Sequence, residues 1–160
     1  MSWSELEAGA PELARLGRER LEATGVAMLG TIRADGSPRI SPVEPFVVLG
    51  QLLFGAMARS AKARDLVRDA RCTLHSIVTA PNAGQGELKL FGRAVEVRDP
   101  LLRGAADHAW WVSYPEDDAR VLSLAVERAV YVSWDLEGGL MTVARWSHER
   151  GSSVATRAYP

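Results

Sequence analysis

The segment RSAKARDL, residues 59–66, combines the residue types that bind an anion. A hydroxyl at Ser60 and an ammonium at Lys62 stand at the start of a short run with helical periodicity, and Arg59 and Arg64 add guanidinium groups. The start of a helix offers free backbone N–H groups and the positive end of the helix dipole. Lysine meets a phosphate as a point charge, whereas arginine offers a bidentate fork. The pattern therefore indicates a phosphate site at a helix that Ser60 caps.

An ordinary surface helix is the alternative interpretation of this segment. Its cations would then pair with Asp65 and Asp69 at i, i+3 or i, i+4 spacing. In either case we expect Leu66 and Val67 to face the core. The segment alone leaves both interpretations open.

A second segment of interest is the proline-rich predicted strand SPRISPVEPF, residues 37–46. Each of its prolines removes a donor from a β-ladder, so this strand is not expected to have a full hydrogen-bonded neighbour on both sides. Alternation places Arg39 and Ser41 on one face and Ile40 and Pro42 on the other. The strand either borders a ligand or is an edge strand that proline protects from further pairing.

Other chemistries lack a matching pattern. The three histidines are scattered without an HExxH pair, and the single cysteine, Cys72, has no second cysteine at ligand spacing, so we expect no metal site. No G-x-S-x-G motif is present, which argues against a hydrolase nucleophile. The glycine-containing segments GQGE and GTIRADG lack the lysine of a P-loop and are predicted to be turns.

The bulk composition predicts one domain over residues 1–160. A net charge of −1 argues against a nucleic-acid partner, because no excess of basic residues is available to contact phosphates. No apolar run approaches the roughly 20 residues that a membrane span needs, and the acidic N-terminal segment is unlike a signal peptide. We therefore expect a cytoplasmic protein without a membrane partner.

Periodicity and turn residues give the order of the elements. Pro11 and Gly25 bracket an N-terminal helix over residues 11–24, and the Asp-Gly pair of ADGS predicts a first hairpin. Further strands are predicted at LLFGAMA, CTLHSIVT, LKLFGRAVEVRD and on both sides of Gly138-Gly139. Two helical pieces are predicted at residues 101–112 and 116–126, and residues 147–160 form a polar tail. The fold class is mainly β with accessory helices, an antiparallel barrel of six to seven strands over residues 25–146, with a β-sandwich as the alternative.

The ordered segments resemble those of a known family. VAMLGTIRADGSPRISPV, then LLFGAMARSAKARDLVRDARCTLHSIV, then GELKLFGRAVEV are similar to the FMN-binding split-barrel proteins related to pyridoxamine 5'-phosphate oxidase. The resemblance spans roughly residues 20–146 and implies a split β-barrel. It also implies a homodimer with two flavins at the subunit interface, where the C-terminal strands and aromatic residues of the partner close each site.

The resemblance also implies site residues. The family's phosphate-binding positions correspond to Arg39, Ser60, Ala61 and Lys62. Its ring-binding positions are matched by the following residues: Ile40, Ser41 and Pro42 on the second strand, and Gly55 and Ala56 on the third. Trp146 and Trp111 are the candidates for closing the site, with a core anchor as the alternative for Trp146.

The implied function is an FMN-dependent oxidoreductase that transfers hydride at flavin N5, with an unassigned substrate. The chain lacks the C-terminal pattern that binds vitamin B6, so pyridoxamine phosphate oxidation itself is not expected. An F420-dependent reductase is one alternative, in which Arg59, Arg64 and Arg68 would meet the longer anionic tail. A non-enzymatic flavin- or haem-binding protein is the other.

Overall fold

A computed structural model of the chain describes residues 2–80, 85–110 and 118–159. In these ranges nine antiparallel strands form one sheet, accompanied by four helices. The helices are α1 (Trp3–Gly9), α2 (Pro11–Thr24), α3 (Ala61–Arg68) and α4 (Pro100–Trp110). The strands are β1 (Ala27–Ile32), β2 (Pro38–Val43), β3 (Phe46–Val48), β4 (Gln51–Met57), β5 (Arg71–Ser76), β6 (Glu87–Glu96), β7 (Ala119–Asp135), β8 (Leu140–Ser147) and β9 (Gly151–Ala158).

The longest strand of the sheet, β7, has 17 residues and pairs with three other strands. One edge of β7 pairs with β6 over residues 122–132. Its other edge pairs with β4 over residues 119–123 and with β8 over residues 128–135. A single strand therefore serves two parts of the sheet, as in a split barrel, which confirms the predicted fold class with nine strands in place of six to seven.

The first hairpin is confirmed. β1 and β2 pair from Ala27 with Val43 to Ile32 with Pro38. Their turn is closed by Asp35, whose carboxylate accepts the Ser37 N–H at 2.9 Å. The strand order β2-β1-β5-β6-β7-β4-β3 leaves β2 at one end, so the proline-rich strand is an edge strand.

The core lies on both faces of β4. Leu52 and Phe54 point into the main core, which also contains the inner faces of α1 and α2. Leu53 points the other way, into a smaller core that it shares with Ala106 of α4. Burial on both faces explains why the sequence of β4 is a continuous apolar run rather than an alternating one.

Helix α2 coincides with the predicted helix, from Pro11 at its first position to Gly25, which ends it in the left-handed conformation at φ 65°. Helix α1 was not predicted. It begins with a capping box in which Ser2 accepts from the Glu5 backbone and the Glu5 side chain accepts from the Ser2 backbone.

Three predictions from the sequence are wrong. Residues 119–126 of the predicted second helical piece belong to β7, where they pair with β4 and β6, while residues 111–117 lie outside the described residues. Residues 151–158 of the predicted polar tail form β9, which pairs with β8 although both of its faces are exposed. Val67 is 68% exposed, because Ala63 and Leu66 form the buried face of α3 and the next residue turns away from it.

Among the helices that the structure describes, none has the length and apolar character needed to cross a bilayer.

Candidate functional site

A cavity of about 320 Å³ lies between β2, β4 and the start of α3. Four residues predicted from the sequence meet in its wall: Pro42, Gly55, Ala56 and Lys62. The remaining lining residues are Val26, Val43, Glu44, Met57, Trp110 and Ala119. We call this space the β2–β4 cavity. Its volume falls within the roughly 300–1,000 Å³ that is usual for small-molecule sites, and most of its wall is apolar.

Trp110 covers one side of the β2–β4 cavity. Its indole Nε1 donates to the Glu44 carbonyl at 3.2 Å, and its ring meets Phe46 edge to face at 5.2 Å between centroids. The indole also lies against the backbone of Gly55, where an ideal Cβ would be 3.0 Å from Cη2 of Trp110. A side chain at position 55 would therefore push the indole away from β4.

Lys62 links the start of α3 to β2. Its Nζ donates to the Pro42 carbonyl at 2.6 Å, so the ammonium lies beside the edge strand. Partial burial lowers the pKa of Lys62 from its ordinary value, and the negative charge of Glu44 opposes that change. The amine thus supplies a partly desolvated cation in the wall of a mainly apolar cavity.

Ser60 caps α3, as predicted. Its Oγ accepts the Ala63 N–H at 3.3 Å, and its carbonyl accepts the Arg64 N–H at 3.2 Å. The N–H groups of Ala61 and Lys62, the first two helical residues, have no such partner within the described residues. Two backbone donors and the positive end of the dipole are therefore directed outward from the helix start.

Arg39 lies in a second cavity, on the other side of the first turn of α3. This cavity has a volume of about 390 Å³, and we call it the arginine groove. Its lining residues are Arg33, Ala34, Asp35, Arg39, Ala61, Arg64, Asp65 and Arg68. Because Ala61 lines the groove and Lys62 lines the β2–β4 cavity, the two spaces flank the start of one helix.

The surface-helix interpretation of this segment predicted ion pairs at i, i+3 or i, i+4, and among the described ion pairs of the segment only that of Asp65 with Arg68 has this spacing. Asp65 pairs with Arg68 at i, i+3 and also with Arg39, while Asp69 pairs with Arg71. Lys62 contacts neither carboxylate and bonds to the β2 backbone instead. Ion pairing within the helix therefore accounts for Arg68 and not for the lysine.

The other predicted residues are not in the wall of the β2–β4 cavity. Ile40 is 69% exposed on the edge strand, and Ser41 next to it is half-buried. Trp146 is buried in the main core against α1, where an ideal Cβ on Gly9 would lie 2.2 Å from its Nε1. This is the position of a core anchor, the alternative that the sequence left open. Trp111 lies outside the described residues.

Trp110 was missed by the reasoning from sequence, which selected its neighbour. Helical spacing was the signal that could have found it: Leu102, Ala106 and Trp110 recur at i, i+4 and i+8. All three belong to the face of α4 that packs on the smaller core.

The described residues contain neither a cluster of metal-ligating side chains nor an accessible thiol. No group of three or more His, Cys, Asp or Glu side chains is arranged to bind a metal within the described residues. Cys72 is buried in the main core, and burial raises the pKa of its thiol to about 12. The reactive form, the thiolate, is thus strongly disfavoured at neutral pH.

Comparison with known proteins gives one family match. The sequence model of the family described as pyridoxamine 5'-phosphate oxidase matches residues 16–133, which include β1 to β6 and almost all of β7. No curated protein matches the chain.

Solved structures share the fold at low sequence identity. A pyridoxamine 5'-phosphate oxidase-related, FMN-binding protein from Nostoc punctiforme is 14% identical, with 94% of this chain and 96% of that chain covered at a TM-score of 0.64. A heme-binding protein from Mycobacterium smegmatis is 15% identical, with coverages of 90% and 88% and a TM-score of 0.58. An F420 reductase is 16% identical, with coverages of 71% and 94% and a TM-score of 0.55.

Proposed function

Because this chain belongs to the pyridoxamine 5'-phosphate oxidase family, we propose that it is a flavin-dependent oxidoreductase whose β2–β4 cavity holds FMN. The observation that carries the proposal is the position of Lys62, in the wall of a mainly apolar cavity and in the first turn of α3. FMN has matching chemistry, since it joins a flat aromatic ring to a phosphate.

The walls of the β2–β4 cavity fit such a ligand. Val26, Val43 and Met57 present apolar surface, and Gly55 contributes bare backbone. Flat rings bind well against apolar and aromatic walls, and the indole of Trp110 is placed to contact a ring that enters beside β4.

The phosphate end is supported by donors from two elements. Lys62 contributes a cation, and the backbone N–H groups of Ala61 and Lys62 contribute two neutral donors. The hydroxyl of Ser60 uses its oxygen to cap the helix and keeps its hydrogen for an acceptor outside it. From the arginine groove, Arg39 approaches the same turn of α3.

Edge strand β2 suits a ligand along its free side. The Pro42 carbonyl accepts from Lys62, so this residue directs its main chain away from β1. In an antiparallel strand, the main-chain N–H and carbonyl of every second residue point to the same side, so those of Ile40 also point away from β1. Ile40 lies outside the wall of the β2–β4 cavity, so its N–H and carbonyl would contact only a part of the ring that extends beyond the cavity along β2.

Bound flavin supplies hydride transfer at N5. The protein's own residues orient the ring and exclude water from one of its faces. Of the described residues that line the β2–β4 cavity, only Glu44 and Lys62 are ionisable. These two are therefore the side chains of this subunit's cavity wall that would exchange a proton with a substrate. The substrate is unassigned.

F420 is the second candidate cofactor, and the arginine groove is the observation that favours it. Arg64 and Arg68 line this groove, and Arg64 is exposed. A tail with several negative charges would extend from the start of α3 along these guanidinium groups. The β2–β4 cavity favours haem less than a flavin, because none of His75, His108 and His148 lines it and its one described residue of a usual haem-ligand type is Met57.

We expect the functional unit to be a homodimer. Exposed apolar side chains on two of the cavity's strands support this, with Ile40 on β2 at 69% exposure and Met57 on β4 at 52%. The β8–β9 hairpin adds a free strand edge, with Val154 at 70% exposure. A second subunit would cover such surfaces, and light scattering of the purified protein would show two chains per particle.

Equilibrium titration with FMN, riboflavin and F420 tests the proposal. If FMN is the cofactor, the protein should bind FMN saturably. It should bind riboflavin more weakly than FMN, because riboflavin lacks the phosphate, and F420 more weakly as well. Tight binding of F420 alone would favour F420 as the cofactor in place of FMN. Binding of none of the three by correctly folded protein would refute both.

A further inference from the structure

Asp65 is a charged residue on the buried face of α3. Its side chain is only 6% exposed, and it lies between Ala63 and Leu66, which are also buried. A carboxylate in such a position is costly unless it is paired and hydrogen-bonded. The partners of Asp65 therefore indicate what the residue does.

Three side chains contact this carboxylate, two from the β1–β2 hairpin and one from α3 itself. Oδ2 accepts from Arg39 Nε at 2.7 Å and from Thr31 Oγ1 at 3.0 Å, and Oδ1 lies 3.4 Å from an Nη of Arg68. Thr31 and Arg39 are directly opposite each other on β1 and β2. Hydrogen bonding, first from Arg39 and then from Thr31, lowers the pKa of Asp65 below its ordinary value, so the group is charged at neutral pH.

The geometry fixes one end of the Arg39 guanidinium and leaves the other available. Asp65 engages Nε, and no hydrogen bond of either Nη atom is found within the described residues. Arg39 remains partly exposed, at 27% of its side chain, and lines the arginine groove together with Ala61. The two Nη groups are thus a preoriented fork beside the first turn of α3.

Stability alone does not account for this arrangement. A buried ion pair adds little net stability compared with apolar residues of similar volume. A surface arginine would also lose side-chain entropy when it is held in one rotamer. Orientation of the Nη fork is the gain that these contacts provide.

We propose that Asp65 is a positioning residue, which holds Arg39 so that its Nη groups bind the phosphate of the cofactor from the arginine groove while Lys62 binds it from the β2–β4 cavity. The inference rests on the proposed function, because it requires a phosphate at the start of α3. Asp65 itself touches no ligand and acts through Arg39.

The test compares FMN with riboflavin, which has the same ring and no phosphate. Asp65→Asn keeps the shape of the side chain and removes its charge, and we expect its affinity for FMN to fall by roughly tenfold, the loss of one charge-assisted hydrogen bond. Affinity for riboflavin should stay within about twofold of wild type, because no phosphate contact is involved. Asp69→Asn is the matched control, since Asp69 pairs with Arg71 outside the groove and should leave both affinities unchanged.

A double-mutant cycle separates positioning from general support of the fold. If Asp65 acts through Arg39, Asp65→Asn has no further effect on FMN affinity once Arg39→Ala is present. An equal loss of FMN and riboflavin affinity in Asp65→Asn would overturn the inference, because it would indicate a structural role only. Full preference for FMN in Asp65→Asn would overturn it as well.

Arg39→Lys keeps the inference testable if Asp65→Asn does not fold. Lysine retains the charge but cannot pair with Asp65 and offer a bidentate fork together, so the preference for FMN over riboflavin should again decrease. An unchanged preference would overturn the positioning role. Failure of the proposed function looks different, because wild-type protein would then bind FMN and riboflavin equally or bind neither.

Discussion

Replacement of Lys62 by alanine tests the phosphate end of the site with the smallest disturbance of the fold. In the free protein its ammonium donates to the Pro42 carbonyl at 2.6 Å, and because the group is partly exposed, water can replace much of this bond, which limits its contribution to about 1 kcal/mol. We therefore expect Lys62→Ala to fold with only a modest loss of stability.

The expected loss of FMN affinity is larger than the loss of stability. An ammonium has three donors, so Lys62 can keep its bond to Pro42 and add one to the phosphate. A hydrogen bond between charged groups contributes about 1.5–3 kcal/mol, which corresponds to a weakening of FMN binding by roughly 10- to 150-fold. Riboflavin affinity should change little, because riboflavin has no phosphate.

Flavin fluorescence titrations of both ligands measure this difference. Lys89→Ala is the matched control, since Lys89 is the only other lysine of the chain and pairs with Glu87 on β6, away from the β2–β4 cavity. Rising ionic strength should weaken FMN binding to wild type more than to Lys62→Ala. Equal FMN affinity in wild type and Lys62→Ala would refute the assignment of this lysine to the phosphate.

Three further predictions concern the fold and its titratable groups. Gly92→Ala should lower the free energy of unfolding in urea by about 1–3 kcal/mol or more, because its Cβ would lie 2.0 Å from the Ala125 carbonyl oxygen. Gly104→Ala in α4, with open space around it, should raise the free energy of unfolding by roughly 0.4–1 kcal/mol. Equal effects of the two substitutions would contradict the close approach of Gly92 to Ala125. The pKa of Asp65 is lower in the folded protein than in the unfolded chain, where it is about 3.9, so ionisation of Asp65 stabilises the fold above that pH. This stabilisation is lost as the pH falls through the lower pKa of the folded state. The melting temperature of Asp65→Asn should therefore depend less on pH in this acidic range than that of wild type. Cys72, with its pKa raised to about 12, should resist a thiol reagent at pH 8 in the native protein and react in denaturant; rapid native labelling would contradict its burial.

Local signals in the sequence were sufficient for the elements that build the phosphate end. Pro11 and Gly25 set the bounds of α2, and the Asp-Gly pair set the first hairpin. Ser60 marked the start of α3, because a hydroxyl at the cap acts within one turn. The wall of the β2–β4 cavity was predicted in part, because the predicted residues Pro42, Gly55, Ala56 and Lys62 all line it.

Features that depend on contacts between residues far apart in the sequence could not be predicted from it. The start of β7 resembles a helix in isolation and becomes a strand by pairing with β4 and β6. β9 lacks a buried face, so its sequence has no hydrophobic alternation to reveal it. The contact between Arg39 and Asp65 joins residues 26 positions apart, and only the packing of α3 on β1 and β2 brings them together.

A crystal structure of the protein with FMN is the most direct test of the central claim. We expect the flavin ring in the β2–β4 cavity beside Gly55 and the phosphate at the first turn of α3. Lys62 Nζ and an Nη of Arg39 should then lie within hydrogen-bond distance of phosphate oxygens. A flavin bound elsewhere, or one with its phosphate directed away from α3, would contradict the account.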